Sequence, residues 1–178
     1  MRAERNRQKE ESLSEDAKIL AKYLAQYKMC LAREKMLRER LLRVKYDQEH
    51  PISGINMDGM PKGNASSDGV PCSLAIRIDE IERRIREQKE ATKKTMLDIM
   101  DILDFLPENE IERNILESRY IDCSSWTKTC RILCITRTPA NEHWKAGLYK
   151  LLEFKKVQKI LAEYKARLAE QEENRKNG

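Results

Sequence analysis

Apolar residues recur three or four positions apart along most of this chain, and that spacing constrains its fold more than any other feature. In one run, Leu20, Tyr23, Tyr27, Cys30, Glu34, Leu37, Leu41 and Val44 follow this rhythm. In a second, Leu74, Ile78, Ile81, Ile85, Gln88, Thr92, Thr95, Ile99, Ile102 and Leu106 do the same. The pattern lays one stripe of side chains along a helix and excludes a strand, whose faces alternate at every second residue. Both runs are heptad seams interrupted by polar residues, Glu34 in the first and Gln88, Thr92 and Thr95 in the second. Such residues either set register and partner choice or loosen the seam locally, and the second reading is the simpler. Between the runs lies a Gly-, Pro-, Asn- and Ser-rich stretch at about residues 51–71, which cannot continue a helix. Residues 14–106 therefore read as an antiparallel, coiled-coil-like helical hairpin with arms of about 30 residues, roughly 45 Å each. Residues 1–13 read as a flexible N-terminus.

Composition supports an all-α chain. Charged residues make up 37% and aromatics 6%, a balance that favours long solvated helices over a large core. The net charge of +5 is concentrated at the two ends. Residues 1–50 carry 13 basic and 9 acidic residues and residues 131–178 carry 11 and 6, whereas the segment between is net acidic. That asymmetry suits a polyanion partner as well as a solvated lysine-rich surface.

Residues 106–152 break from the long-helix rhythm and read as three short helices. Leu106-Pro107 closes one helix and opens the next, with Pro107, Glu108 and Glu110 in its first turn. Ile111, Ile115, Leu116 and Tyr120 give it an apolar face. Ser125 suits the N-cap of a second helix whose buried side is Trp126, Cys130 and Leu133. Cys134-Ile135-Thr136 makes a turn, Thr136 or Thr138 caps the third helix, and Pro139 fits its first turn. Ala140, Trp144, Leu148 and Leu151 form its inner stripe, leaving Arg137, Thr138, Asn141, Glu142, Lys145 and Lys150 outside.

This is the layout of a helix-turn-helix, whose last helix enters the DNA major groove. Arg, Asn and Thr are suited to base edges, so Arg137, Thr138, Asn141 and Lys145 are the candidate groove residues. Ser125, Thr127, Lys128 and Thr136 are the candidate backbone contacts. A three-helix packing unit with a solvated polar face is the plainer alternative.

The segment RYIDCSSWTKTCRILCITRTPANEHWKAGLYKLL (119–152) resembles region 4 of sigma-70-type factors. It is more similar still to small phage and prophage proteins of Gram-positive bacteria with a sigma-like helix-turn-helix. These include domain-of-unknown-function proteins and the ArpU-like and RinA-like late transcription regulators. Arg119, Tyr120, Ile121, Ser125, Trp126, Leu133 and Thr136 match that family's pattern. The stretch ISGINMDGMPKGNASSDGV (52–70) resembles its Ser-Gly-Met-Pro loop. Cys134 stands where the family has Gly, so that residue would be strained or the turn altered; Thr129 replaces an Ile, and Lys128 replaces the Glu of a capping box. Ala140 and Gly147 are smaller than the family's residues and would thin the packing. The resemblance implies a DNA-binding regulator of phage or prophage genes, acting beside bacterial RNA polymerase.

Other functions have little support. No segment offers the roughly 20 continuous apolar residues of a membrane span, and the polar N-terminus is unlike a signal peptide, so a cytoplasmic location in a bacterial host is expected. Five cysteines without regular spacing are no disulfide framework. Cys123, Cys130, Cys134 and His143 lack the ligand spacing of a zinc site, so no metal or cofactor is expected. His50 and His143 have no catalytic company, and no enzyme is expected. After Leu152 the apolar rhythm continues through Phe154, Val157, Leu161, Tyr164 and Leu168. Residues 153–178 thus form a C-terminal helical extension with a frayed end, which extends the third helix back over the hairpin or pairs in a homodimer. Two rival functions remain: a small-terminase-like DNA-packaging subunit, and a polymerase-binding module that does not read DNA.

Overall fold

A computed structural model describes residues 13–50 and 69–176; most of the expected flexible N-terminus and of the loop at about 51–71 lie outside the described residues. Among the described residues every regular element is a helix, as the periodicity predicts. In chain order these are α1 (Glu15–Leu24), α2 (Gln26–Glu49), α3 (Gly69–Leu103), α4 (Ile111–Tyr120), α5 (Trp126–Ile132), α6 (Arg137–Leu152) and α7 (Lys155–Lys176). The chain divides into two compact bodies, one of residues 30–93 and the other of residues 1–29 with 94–178.

The body of residues 30–93 is the hairpin. Leu37, Leu41 and Val44 of α2 and Ile78, Ile81 and Ile85 of α3 are half-buried, matching the two seams. Lys45 meets Glu82 at 2.9 Å, an ion pair across the arms. No residue of α2 is fully buried, so this seam is thin. Glu34, Gln88 and Thr92 of the seam find partners one turn away. Glu34 pairs with Arg38 at 2.7 Å, and buried Thr92 donates its hydroxyl to the Gln88 carbonyl at 2.7 Å.

The other body holds the core. Leu13, Ala17, Leu20 and Leu24 join Ile99, Ile102, Leu103 and Leu106 with Leu116, Leu148, Leu151, Val157 and Leu161. Each fully buried leucine contributes about 1.5–3 kcal/mol, so stability is concentrated here. The first expected arm is in fact two helices separated at Ala25, and its leading turns furnish this core. Leu13, expected to be flexible, is buried in it. Ser14 fixes the start of α1: its hydroxyl accepts from the Ala17 N–H at 3.2 Å, and its own N–H donates to the Tyr149 hydroxyl at 3.1 Å.

Two further expectations are corrected. Pro107 lies in the connection between α3 and α4 rather than in a helical first turn, and α4 begins only at Ile111. Arg113 holds that connection, donating to the Leu106 carbonyl at 2.8 Å and pairing with Asp104 at 2.6 Å. The third helix of the motif does not run on past Leu152. The Glu153 and Phe154 N–H groups donate to the carbonyls three residues back, and the Gln158 side chain caps the Leu152 carbonyl at 2.7 Å. Freed carbonyls at a helix end need such donors. Helix α7 then folds back on α1, where Tyr164 meets Tyr23 edge-on at 5.2 Å and Lys165 reaches Asp16 at 2.5 Å. It continues to Lys176, where fraying was expected.

Candidate nucleic-acid interface

Helices α4, α5 and α6 lie within one body and are tied pairwise. Between α4 and α6 the small residue is a fitting device. A Cβ on Gly147 would stand 2.9 Å from Leu116 Cδ1 and 3.2 Å from Glu112 Cβ. The glycine therefore admits a close approach of the helices, where the sequence suggested thin packing. Beside it, Lys150 reaches Glu110 at 2.8 Å and Glu112 at 3.4 Å, and His143 Nδ1 lies 3.4 Å from Glu112. Burial pushes the Glu112 carboxyl up, but its own backbone N–H, His143 and Lys150 together hold it below its usual value. Lys150 is thus taken up by α4 and leaves the outer face to which the sequence assigned it.

A buried hydroxyl pair ties α4 to α5: Ser118 Oγ and Thr129 Oγ1 lie 3.0 Å apart. Thr129 is the fully buried residue of α5, while Trp126, Cys130 and Leu133 are half-buried. The indoles of Trp126 and Trp144 meet edge-on at 6.1 Å, and Trp144 Nε1 donates to the Tyr120 hydroxyl at 3.2 Å.

The turn between α5 and α6 is set by backbone. Cys134 has φ of 53°, in the left-handed region where glycine is favoured. The Ile135 N–H donates to the Cys130 carbonyl at 3.0 Å and the Cys134 N–H to the Arg131 carbonyl at 3.4 Å. These bonds form a Schellman motif with a cysteine in the glycine position. The strain expected for Cys134 is therefore present. Cys123 has a φ of 52°, a second left-handed residue that no motif announced.

The nominated residues fall as follows. Ser125 is the N-cap of α5 and accepts from the Lys128 N–H at 3.3 Å; Ser125, Thr127 and Lys128 are exposed. Thr136 occupies the N-cap position of α6 without a side-chain capping bond. Thr136, Arg137 and Thr138 are exposed, while Asn141 and Lys145 are half-buried. Thr138, Asn141 and Lys145 share a helix face by their spacing.

One cluster escaped the sequence reading. The Arg119 guanidinium lies 4.6 Å from the Trp126 ring centroid and that of Arg137 lies 4.0 Å from it. Arg119 also donates through Nη1 to the Ser124 carbonyl, bracing the chain after Cys123. Burial pulls both guanidiniums below their ordinary values, and for Arg137 the proximity of Arg119 adds to this. Arg119 was legible only as part of a family pattern, because residues 119, 126 and 137 meet through tertiary structure.

Among the described residues, no group of His, Cys, Asp and Glu is placed to hold a metal, and no helix is long and apolar enough to cross a membrane. No protein-family model matches the chain, and no curated protein and no solved structure matches it.

Proposed function

We propose that this chain binds double-stranded DNA through α6 and regulates transcription of phage or prophage genes in the manner of a sigma-like helix-turn-helix protein. The supporting observation is the left-handed turn at Cys134, which leaves Thr136, Arg137 and Thr138 exposed at the start of a 16-residue helix beside the exposed N-terminus of α5. A helix of this length spans about 24 Å, ample for a major-groove crossing. Thr138, Asn141 and Lys145 are the proposed base-facing residues, and Ser125, Thr127 and Lys128 the backbone contacts. The phage and transcription part of the proposal rests on the resemblance of residues 119–152 to that family, as does an accompanying contact with bacterial RNA polymerase.

Selection of the full-length protein against a random-sequence duplex pool tests the reading. The expected result is one enriched motif, lost in a Thr138→Ala/Asn141→Ala variant that melts like the parent. Binding without any enriched motif would remove sequence reading and favour a packaging or architectural role. Absence of duplex binding, with polymerase retained on the immobilised protein, would favour the interaction-module reading.

A further inference from the structure

We infer that Arg119 and Arg137, both held on the Trp126 indole, form a clamp for the phosphodiester backbone of DNA at the junction of α4, α5 and α6. Arg137 then adds affinity for any sequence and does not read a base. This inference rests on the proposed DNA binding and assigns one of its surfaces.

Charge at this junction is out of balance. Arg119 is half-buried, and a cation removed from water is costly unless it is paired. Its partners are one carbonyl, that of Ser124, and the face of Trp126. Its other nitrogens have no protein partner among the described residues and are not closed off from solvent. Arg137 has the Trp126 ring and, among the described residues, no hydrogen bond or ion pair. Other cations of the same body do meet carboxylates: Arg113 meets Asp104 and Glu117, Lys150 meets Glu110 and Glu112, and Lys165 meets Asp16. Two guanidiniums gathered on one indole, with no carboxylate paired to either, concentrate positive charge at one place and suit an anion.

The anion that fits is a phosphodiester. Guanidinium forks match phosphate oxygens bidentately, and stacking on an aromatic face orders them in advance. A ring-held cation at an exposed site is only weakly stabilised. That is enough to bias its position, but not enough to compete with a phosphate. Arg137 belongs to the first turn of α6, where the helix dipole also favours negative charge. The Arg137 guanidinium rests 4.0 Å from the Trp126 ring centroid, beside that of Arg119, and so is held at the junction of the three helices. This is the reason to reassign it from base reading to backbone holding.

Fluorescence anisotropy of the full-length protein on a random-sequence duplex, measured against salt, tests the inference with Arg137→Ala and Arg119→Gln. Arg137→Ala removes an exposed side chain and is expected to leave the melting temperature near that of the parent. The slope of log affinity against log salt is expected to flatten by about 1 in Arg137→Ala, with affinity falling equally on random and motif-bearing duplexes. Arg119→Gln is expected to flatten it similarly if it folds. An unchanged slope in Arg137→Ala, with the parent still binding, would overturn the clamp and leave the DNA-binding reading standing. So would a loss confined to the motif-bearing duplex, which would return Arg137 to base reading. Failure of the parent to bind any duplex would overturn the DNA-binding reading and the clamp together.

Discussion

Replacing Cys134 with glycine should make the protein more stable. The residue closes the turn that sets α5 against α6 with φ of 53°. A side chain in the left-handed region costs about 1–2 kcal/mol, from crowding between Cβ and the following carbonyl. Glycine removes that cost but adds conformational freedom to the unfolded chain, which offsets about 0.4–1 kcal/mol. The cysteine makes one weak contact to lose, Sγ to the Arg131 carbonyl at 3.8 Å, and is otherwise exposed. The net gain is therefore about 0.5–1 kcal/mol, and at this chain length that raises the melting temperature by about 2 °C. Cys134→Ala is the control, since it keeps the Cβ and the strain and should melt within about 1 °C of the parent. Calorimetry or circular dichroism of the three proteins provides the measurement. If Cys134→Gly melts at or below Cys134→Ala, the turn does not carry the strain assigned to it.

Four other outcomes follow from the same structure. Gly147→Ala should destabilise by about 0.5–2 kcal/mol in denaturant titration, because overpacking against Leu116 outweighs a helix-propensity gain of about 1 kcal/mol. In the Ser118–Thr129 pair, Thr129→Val alone should cost about 1–2 kcal/mol by orphaning the Ser118 hydroxyl, while Ser118→Ala/Thr129→Val should cost clearly less, a non-additivity that a double-mutant cycle reads directly. Glu80 is held at about 2 by hydrogen bonds from Arg83 and then Arg84, so its support of α3 is complete above its unfolded value of 4.5 and is lost as pH falls towards 2. The difference in melting temperature between the parent and Glu80→Gln should accordingly be present at pH 6 and absent near pH 2. Amide exchange should be faster in residues 30–49 of α2, where no side chain is fully buried, than in α1 or α6.

The sequence carried the helices because their stripes are periodic, and the structure buries the residues that the period names. Ile78, Ile81, Ile85, Thr92, Ile99 and Ile102 are each at least half-buried along α3. Local chemistry was legible as well: Ser125 as a cap, the turn at Cys134, and Ala140, Leu148 and Leu151 as the inner stripe of α6. Partition was not legible. Leu20 and Tyr23 continue the seam of Leu37 and Leu41 without a break in rhythm, yet they furnish the other body's core, because a heptad specifies a face and not its partner. The start of α4 was misplaced because Pro107 fits a connecting turn as well as a first helical turn. Within the candidate site, exposed residues at the start of α6 could be named from spacing. The stacking of Arg119 and Arg137 on Trp126 could not, since it depends on three elements meeting.

The central claim is that α6 and the start of α5 face DNA, and an amide-exchange footprint on a bound duplex tests it most directly. The full-length protein would be compared alone and saturated with a duplex recovered from the random pool. The account predicts new protection in residues 125–128 and 136–145, with the hairpin of residues 30–93 unchanged. Protection confined to the hairpin, or to α7, would contradict it and move the binding surface elsewhere.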